Sequence, residues 1–173
     1  MTVEEHVEAR ASVEAFEADY DNGMPPMPVG GVHGFLVSHI TELLQSQLRA
    51  ANQYELYYVL VGEVGIRFDK PYGADIAIFQ RRQFPGGLPA GFIKNTVPLL
   101  IVEIVSTYDT VLEVEKKIMA YTRAGVGEFW FAMDELNVID VYRPDSPVAK
   151  LGLGDSLPYS LGFRLPVKDI LAR

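Results

Sequence analysis

The chain has 173 residues, of which 49% are hydrophobic and 22% are charged, a composition typical of a globular protein with one hydrophobic core. It has no cysteine, which excludes disulfide bridges, thiolate zinc sites and a cysteine nucleophile. Its net charge of −8 argues against a general nucleic-acid coat protein, but not against an enzyme that accepts phosphate through a divalent cation. The first residues are acidic and polar, and no apolar run approaches the roughly 20 residues of a membrane span, so we expect a cytoplasmic protein without membrane contact.

The first third of the chain predicts two helices. A segment rich in Glu and Ala predicts a helix over residues 3–20, and apolar residues at helical spacing predict another over about 33–51. The run GMPPMPVGG between them is a loop, because it is rich in Pro and Gly. We expect one domain over residues 1–173, with a mainly helical part at 1–52 and the sheet core at 53–173.

The rest of the chain is dominated by predicted strands. Six β-rich segments are separated by turn signals: YELYYVLV, EVGIRF, ADIAIF, VPLLIVEIVS, EFWFAM and NVIDVY. A helix over residues 109–124 lies between the fourth and fifth segments, and Gly125 follows it in the position of a C-cap. The tail DSLPYSLGFRLP returns to strand and turn, and VKDILAR ends as a short helix. This order predicts an α/β fold at the border of α+β, with a central mixed β-sheet flanked by helices.

A carboxylate interrupts the most apolar of these strands. Glu103 lies within LLIVEIVS, and alternation along a strand places it on the same face as Ile101 and Val105. Since the strand is apolar on both faces, both faces are covered by protein. An unpaired buried charge costs roughly several kcal/mol, so Glu103 requires a partner or a metal ion.

Two partners for Glu103 can be named from the sequence. Asp75 opens the segment ADIAIF after the turn KPYG, and if the two strands are neighbours, both carboxylates can bind one Mg²⁺. Lys117 lies on the following helix, where its ammonium can reach the strand ends. The apolar stripe beside it comprises Val111, Val114, Ile118 and Tyr121. Spacing alone leaves open a metal site with Lys117 acting on water or phosphate, and a buried Glu103–Lys117 ion pair with Asp75 capping a turn.

Several segments together resemble the Uma-two family of bacterial proteins, a branch of the PD-(D/E)XK nuclease superfamily. They are GADIAIF, LLIVEIVSTYD, EVEKKIMAYTRAGVGEFWFAMD and VIDVYRPD, and the ending LPYSLGFRLPVKDIL is similar to that of the family. The helix that runs into GVGEFW is the most specific of these. The resemblance covers most of the chain and implies a restriction endonuclease-like fold.

The resemblance also implies roles for individual residues. Asp75 corresponds to the Asp of the PD motif, Glu103 to the acid of the next strand motif, and Lys117 to the Lys four residues before the helical Tyr. In the superfamily the two acids hold Mg²⁺ and the Lys assists attack on phosphate. These correspondences imply a DNA endonuclease that depends on Mg²⁺ or Mn²⁺ and acts as a homodimer.

Four further residues are accessory candidates. Asp19, in DYDNG, stands near the place of the Glu in the family's E-L-I-D-G segment, which this chain lacks. His33 corresponds to a family His and either contacts phosphate or is a polar residue of the helix start. Glu113 replaces an Asp often found four residues before the Lys, and Tyr121 either lines the site or belongs to the core.

A function of another class remains open. The chain can be a catalytically weak or inactive module that keeps the nuclease fold for DNA binding, protein binding or assembly. The acidic balance and the absent N-terminal Glu favour this alternative. The presence of Asp75, Glu103 and Lys117 together favours catalysis.

Overall fold

The computed structural model describes residues 30–106 and 109–172. The helix predicted over residues 3–20 and the accessory candidate Asp19 lie outside the described residues. The described helices are α1 (Gly31–Ala50), α2 (Val111–Ala124) and α3 (Val167–Ile170). The described strands are β1 (Tyr57–Arg67), β2 (Pro71–Gln80), β3 (Ile93–Lys94), β4 (Leu100–Ile104), β5 (Glu128–Met133), β6 (Val138–Tyr142), β7 (Ala149–Gly152), β8 (Ser156–Pro158) and β9 (Arg164–Pro166).

Helix α1 follows from its apolar periodicity. Leu36, Ile40, Leu44 and Leu48 recur every four residues, and all four are fully buried. The helix begins two residues before the predicted start and ends one residue before the predicted end. No helix of the described residues is long and apolar enough to cross a lipid bilayer.

Helix α2 carries its own start and stop signals. The Thr110 hydroxyl accepts the backbone N–H of Glu113, and the Glu113 carboxylate accepts the backbone N–H of Thr110 at 2.9 Å, which forms a capping box. Gly125 ends the helix with φ of +77°, as its predicted C-cap position requires. The helix therefore begins two residues after its predicted start.

The apolar stripe of α2 is shorter than predicted. Val111 is 80% exposed, whereas Tyr121 is fully buried and Val114 and Ile118 pack against the core. At 3.6 residues per turn, Val111 points within about 20° of Ile118, so it has the predicted helical phase. Its exposure goes with its place as the first residue of the helix, where the buried stripe has not yet begun.

The main sheet has seven strands in the order β3-β1-β2-β4-β5-β6-β7. The pairs β1/β3 and β4/β5 are parallel, and the other four pairs are antiparallel. Helix α2 is the crossover between the parallel strands β4 and β5, and β8 and β9 form a separate two-stranded sheet. The predicted mixed sheet flanked by helices is confirmed, although the short edge strands β3 and β7 were not predicted.

Strand β1 is continuous where the sequence predicted a break at Gly62. Its pairing with β2 shifts register between Val61 and Val64, so that Gly62 and Glu63 form a β-bulge with positive φ values of 80° and 54°. A Gly inside a strand pattern can mark a bulge as well as a turn. The bulge keeps β1 in one piece.

The hairpin between β1 and β2 is tighter than predicted. Arg67 pairs with Pro71, so Pro71 already belongs to β2, and Asp75 lies inside the strand instead of at its start. Proline is tolerated as the first residue of a strand, which explains why KPYG does not form the turn. Of the alternative without a metal, the part in which Asp75 caps a turn is therefore wrong, whereas its Glu103–Lys117 ion pair is present.

Each face of the sheet is covered by one hydrophobic cluster. The first packs Leu36, Ile40 and Leu44 of α1 on Leu100, Val102 and Ile104 of β4. The second packs Ala120 and Tyr121 of α2 on Ile101, Phe129 and Phe131. Strand β4 is thus buried on both faces, as its sequence predicted, and Glu103 lies between two layers of protein.

Candidate active site

Asp75 and Glu103 lie on neighbouring antiparallel strands. Ile76 pairs with Val102, and continuing this register by one residue places Asp75 opposite Glu103. The prediction that these two strands are neighbours is confirmed. Both side chains are buried, with exposed fractions of 7% for Asp75 and 3% for Glu103.

Asp75 stands at a break in the alternation of β2. Ala74 and Ala77 both belong to the cluster under α2, whereas Ile76 belongs to the cluster under α1. The break lies opposite the bulge of β1, where two residues face one. A bulge next to a candidate site commonly redirects a side chain, and here the affected side chain is the Asp75 carboxylate.

Both Asp75 oxygens accept hydrogen bonds from fixed groups. Oδ2 accepts a hydrogen bond from the backbone N–H of Ile104 at 2.8 Å. The side chain thus adds a hydrogen bond between β2 and the last residue of β4. Oδ1 lies 2.9 Å from Nε2 of His33, in the first turn of α1. The Asp75 carboxylate is therefore held by the sheet on one side and by α1 on the other.

The Glu103 carboxylate is held by α2, on the other face of the sheet from α1. Lys117 donates to Oε2 at 2.7 Å, and the Tyr121 hydroxyl donates a short hydrogen bond to Oε1. Both partners lie on α2, four residues apart and thus on one face of the helix. Their spacing explains why a single helix can bind both oxygens of one carboxylate.

Burial dominates the electrostatics of Glu103. It raises the pKa of Glu103 to about 7; Lys117 opposes this rise and the charge of Asp75 adds to it. Burial is the largest single effect on Lys117 and would lower its pKa, but the charge and hydrogen bond of Glu103, with the charges of Asp75 and Glu63, together outweigh burial and raise that pKa. Burial, followed by the charge of Glu103, raises the pKa of the Tyr121 hydroxyl well above its ordinary value. The Tyr121 hydroxyl therefore keeps its proton at neutral pH and acts as a hydrogen-bond donor to Glu103.

The remaining side-chain atoms of Tyr121 belong to the core. Its ring lies edge-on to those of Phe68, Tyr72 and Phe129, with centroids 5.5 to 6.1 Å apart. The two interpretations of Tyr121 from the sequence are thus compatible, because its ring packs in the cluster while its hydroxyl reaches Glu103.

Two comparisons with known proteins bear on this arrangement. The family model described as "Uma2: Putative restriction endonuclease" matches residues 10–168. The chain belongs to the Uma2 family. The resemblance inferred from its motifs is confirmed, and the family description supports a nuclease while naming no metal and no target.

The fold of this Uma2 protein also occurs in a solved structure. The chain is similar to "a putative nuclease belonging to DUF820 from Anabaena variabilis ATCC 29413", with 20% sequence identity and a TM-score of 0.73. The match covers 85% of this chain and 83% of that one. At this identity the likeness shows a shared fold. No curated protein matches the chain.

His33 occupies a position beside Asp75 that its sequence context did not reveal. Its hydrogen bond to Asp75 raises the pKa of the imidazole; burial opposes this rise, and the charges of Asp75, Asp109 and Glu63 add to it. The two residues are 42 positions apart, and their contact depends on how α1 packs against the sheet. The only signal in the sequence was the correspondence with a family His.

Glu113 serves the start of α2. Its Oε2 accepts from both the backbone N–H and the hydroxyl of Thr110, at 2.9 and 2.7 Å. These hydrogen bonds lower the pKa of Glu113. Within the described residues, its carboxylate is therefore engaged in a helix cap rather than bonded to Asp75 or Glu103.

The donor set suits a hard cation with few protein ligands. Across residues 30–106 and 109–172, no three His, Asp or Glu side chains are grouped closely enough to hold a metal ion. Mg²⁺ commonly takes one or two carboxylates and completes its octahedron with water and substrate phosphate. Two adjacent buried carboxylates, one of which has a raised pKa, fit that requirement, because a cation between them offsets their mutual repulsion.

Proposed function

We propose that this protein is an endonuclease that hydrolyses DNA phosphodiester bonds and depends on Mg²⁺ or Mn²⁺. The observation that supports this proposal most strongly is the pair of buried carboxylates, Asp75 and Glu103, with the Lys117 ammonium 2.7 Å from Glu103. A structural ion pair needs one carboxylate for one ammonium. The second buried carboxylate, Asp75, lies outside that pair and would be the other ligand of a shared cation.

Asp75 and Glu103 would hold the metal ion. When bound, the ion supplies Lewis-acid polarisation of the phosphate and a lower pKa for a coordinated water. His33 and the Ile104 amide fix the Asp75 oxygens, and Tyr121 fixes Oε1 of Glu103. Such preorganised ligands lose little entropy when the ion binds.

Lys117 is placed to act on the reacting groups. Its side chain is 35% exposed, so the ammonium lies at the boundary between the buried carboxylates and solvent. An ammonium has three donors, and within the described residues only Glu103 accepts a side-chain hydrogen bond from Lys117. The other donors can orient the attacking water and stabilise charge on the phosphate oxygens as the bond to the leaving sugar oxygen breaks.

Cleavage of plasmid and single-stranded DNA with Mg²⁺ or Mn²⁺ tests this proposal. We expect Glu103→Gln and Lys117→Met each to lower the cleavage rate by roughly a hundredfold or more. Lys116→Met is the matched control, because Lys116 is the exposed neighbour on α2, and we expect its rate to stay within about twofold of wild type. Wild-type protein that cuts neither substrate with either metal, or Glu103→Gln protein that still cuts, would refute the proposal.

A binding module is the second candidate function. Both Glu103 oxygens have hydrogen-bond donors without any cation, so the network is internally satisfied and needs no metal to be stable. Calorimetric titration with Mg²⁺ separates the two candidates. A nuclease requires a metal affinity that Glu103→Gln removes, whereas a binding module shows none. The homodimeric state and the cytoplasmic location stay predictions from the sequence.

A further inference from the structure

A cleft lies away from the carboxylate pair, beside the last turns of α2. It has a volume of about 240 Å³ and opens between the β1–β2 turn, the segment after β3 and the last turns of α2. Its charged lining residues are Arg67, Asp69 and Arg123. Clefts for drug-sized ligands run from roughly 300 to 1,000 Å³, so this one suits a single small group.

Arg67 lines this cleft and, within the described part of the chain, has one buried donor without a partner. Its guanidinium carbon lies 5.4 Å from the centroid of the Phe92 ring, which fixes the side chain at the end of β1. Its Nε is buried and has no hydrogen-bond partner among the described residues. Buried donors are nearly always satisfied, so this Nε is an exception that the packing around Arg67 does not explain.

The surroundings of Arg67 are basic in a chain whose net charge is −8. Arg123 also lines the cleft, and Lys94, outside the lining, pairs with Arg67 in the register of β1 and β3. Asp69 is the one opposing charge in the lining, and its Oδ2 lies 3.6 Å from Nη1 of Arg123. Both side chains are more than half exposed, so this contact is weak and an incoming anion can replace it.

We propose that this cleft binds a backbone phosphate of the DNA strand that is cut. The inference rests on the proposed function and assigns a substrate contact outside the carboxylate pair. A guanidinium fork presents paired donors that match phosphate oxygens, and Arg67 and Arg123 bring two such groups to the lining of one cleft.

The spacing along α2 is compatible with one bound strand. Lys117 and Arg123 are six residues apart, which corresponds to about 9 Å along the helix axis. Phosphates follow one another every 3.4 Å or so along the axis of a DNA strand. Six residues also turn the helix by about 600°, so Arg123 points roughly 120° away from Lys117 and a strand that reaches both would curve around α2.

Binding of a short labelled DNA duplex in EDTA, followed by fluorescence anisotropy at several salt concentrations, tests the inference without cleavage. We expect Arg67→Met to weaken binding about tenfold and to reduce the salt slope by about 0.9, the value for one lost phosphate contact. Arg67→Lys, which keeps the charge and loses Nε–H, should weaken binding less. Arg123→Gln gives a second variant at an exposed position, where folding is not at stake.

Arg82→Gln is the matched control. Arg82 follows β2 at the end of the hairpin opposite Arg67, and it is exposed. An equal loss for Arg82→Gln and Arg67→Met would show general charge attraction and overturn the inference, as would duplex binding by Arg67→Met that equals wild type.

Titration with inorganic phosphate distinguishes a DNA phosphate from a free phosphate ion as the anion that the cleft binds. In a nitrogen-correlated NMR spectrum, we expect the Arg67 Nε–H signal to shift with both duplex and inorganic phosphate, and not with chloride. A shift with inorganic phosphate alone, together with unchanged duplex affinity of Arg67→Met, would overturn the assignment to DNA. If wild type cleaves DNA but Arg67→Met binds the duplex as tightly as wild type, only this inference is refuted. If duplex binding depends on Arg67 but wild type does not cleave, only the hydrolytic function is refuted.

Discussion

Replacing Glu103 by Gln should stabilise the metal-free protein at alkaline pH while it abolishes cleavage. Burial raises the pKa of Glu103 from 4.5 to about 7. A raised pKa in the folded state means that its stabilisation is complete below the unfolded pKa of 4.5 and is lost as pH rises through about 7. A rise of this size corresponds to a loss of about 3 kcal/mol at pH values above 7.

The Gln side chain removes this loss because it cannot ionise. Lys117 loses its partner in the variant, but its side chain is 35% exposed and regains water, so this cost is small. We therefore expect Glu103→Gln to raise the free energy of unfolding by about 1 to 3 kcal/mol at about pH 8. At about pH 5, where folded Glu103 is protonated, the variant and wild type should agree within about 0.5 kcal/mol.

Urea unfolding in EDTA at the two pH values measures this difference. Glu128→Gln is the matched control, because Glu128 is 1% exposed and accepts from Arg143 at 2.7 Å and from Trp130 at 2.6 Å. Breaking that pair should destabilise the protein, by about 3 kcal/mol. If Glu103→Gln is instead less stable than wild type at about pH 8, then Glu103 and Lys117 are a net stabilising ion pair and the reasoning for a functional carboxylate fails.

Three further predictions concern the groups around the two carboxylates. Tyr121→Phe keeps the ring packing and removes one donor to Glu103, so we expect it to lower the free energy of unfolding by about 1 to 2 kcal/mol and to lower cleavage, measured by urea unfolding and the plasmid assay. In metal-free protein, NMR titration should give His33 a pKa above its ordinary 6.5, and Asp75→Asn should remove that rise. Because the folded pKa is raised, the stabilisation from His33 is complete below pH 6.5 and is lost as pH rises through the folded value; an unshifted His33 would contradict the contact with Asp75. Gly125→Ala should cost about 1 kcal/mol in thermal unfolding, because φ is +77° at the end of α2, and a neutral effect would contradict the left-handed cap.

Local patterns were sufficient to predict the two-sided burial of β4. Alternation within LLIVEIVS placed Glu103 in the interior, and a helix that follows in the chain had to cross back over the sheet to reach a parallel strand. Lys117 was therefore one of few cations that could reach Glu103. The contact was predictable because both residues lie within one βαβ unit.

The environment of Asp75 could not be predicted in the same way. It depends on a bulge in β1, and the residue with positive φ beside Gly62 is Glu63, whose type gives no signal for that conformation. It also depends on His33, which comes from an element that packs on the other face of the sheet. Contacts of this kind follow from how distant elements pack and not from the periodicity of either one.

The two carboxylates are thus secured by different layers of the molecule. The Asp75 carboxylate accepts hydrogen bonds from α1 and from the end of β4. Among the described residues, the Glu103 carboxylate accepts side-chain hydrogen bonds only from α2. A shift of α1 against the sheet would therefore move the Asp75 oxygens relative to those of Glu103 and change the space available to a cation between them. Since Mg²⁺ tolerates little departure from octahedral geometry, the proposed function predicts that the packing of α1 on β4 controls metal affinity, although neither proposed ligand is part of that packing. Leu36→Ala removes fully buried side-chain atoms from the cluster under α1 and should weaken Mg²⁺ binding. Ala120→Gly changes the cluster under α2 and should leave the position of Asp75 unchanged.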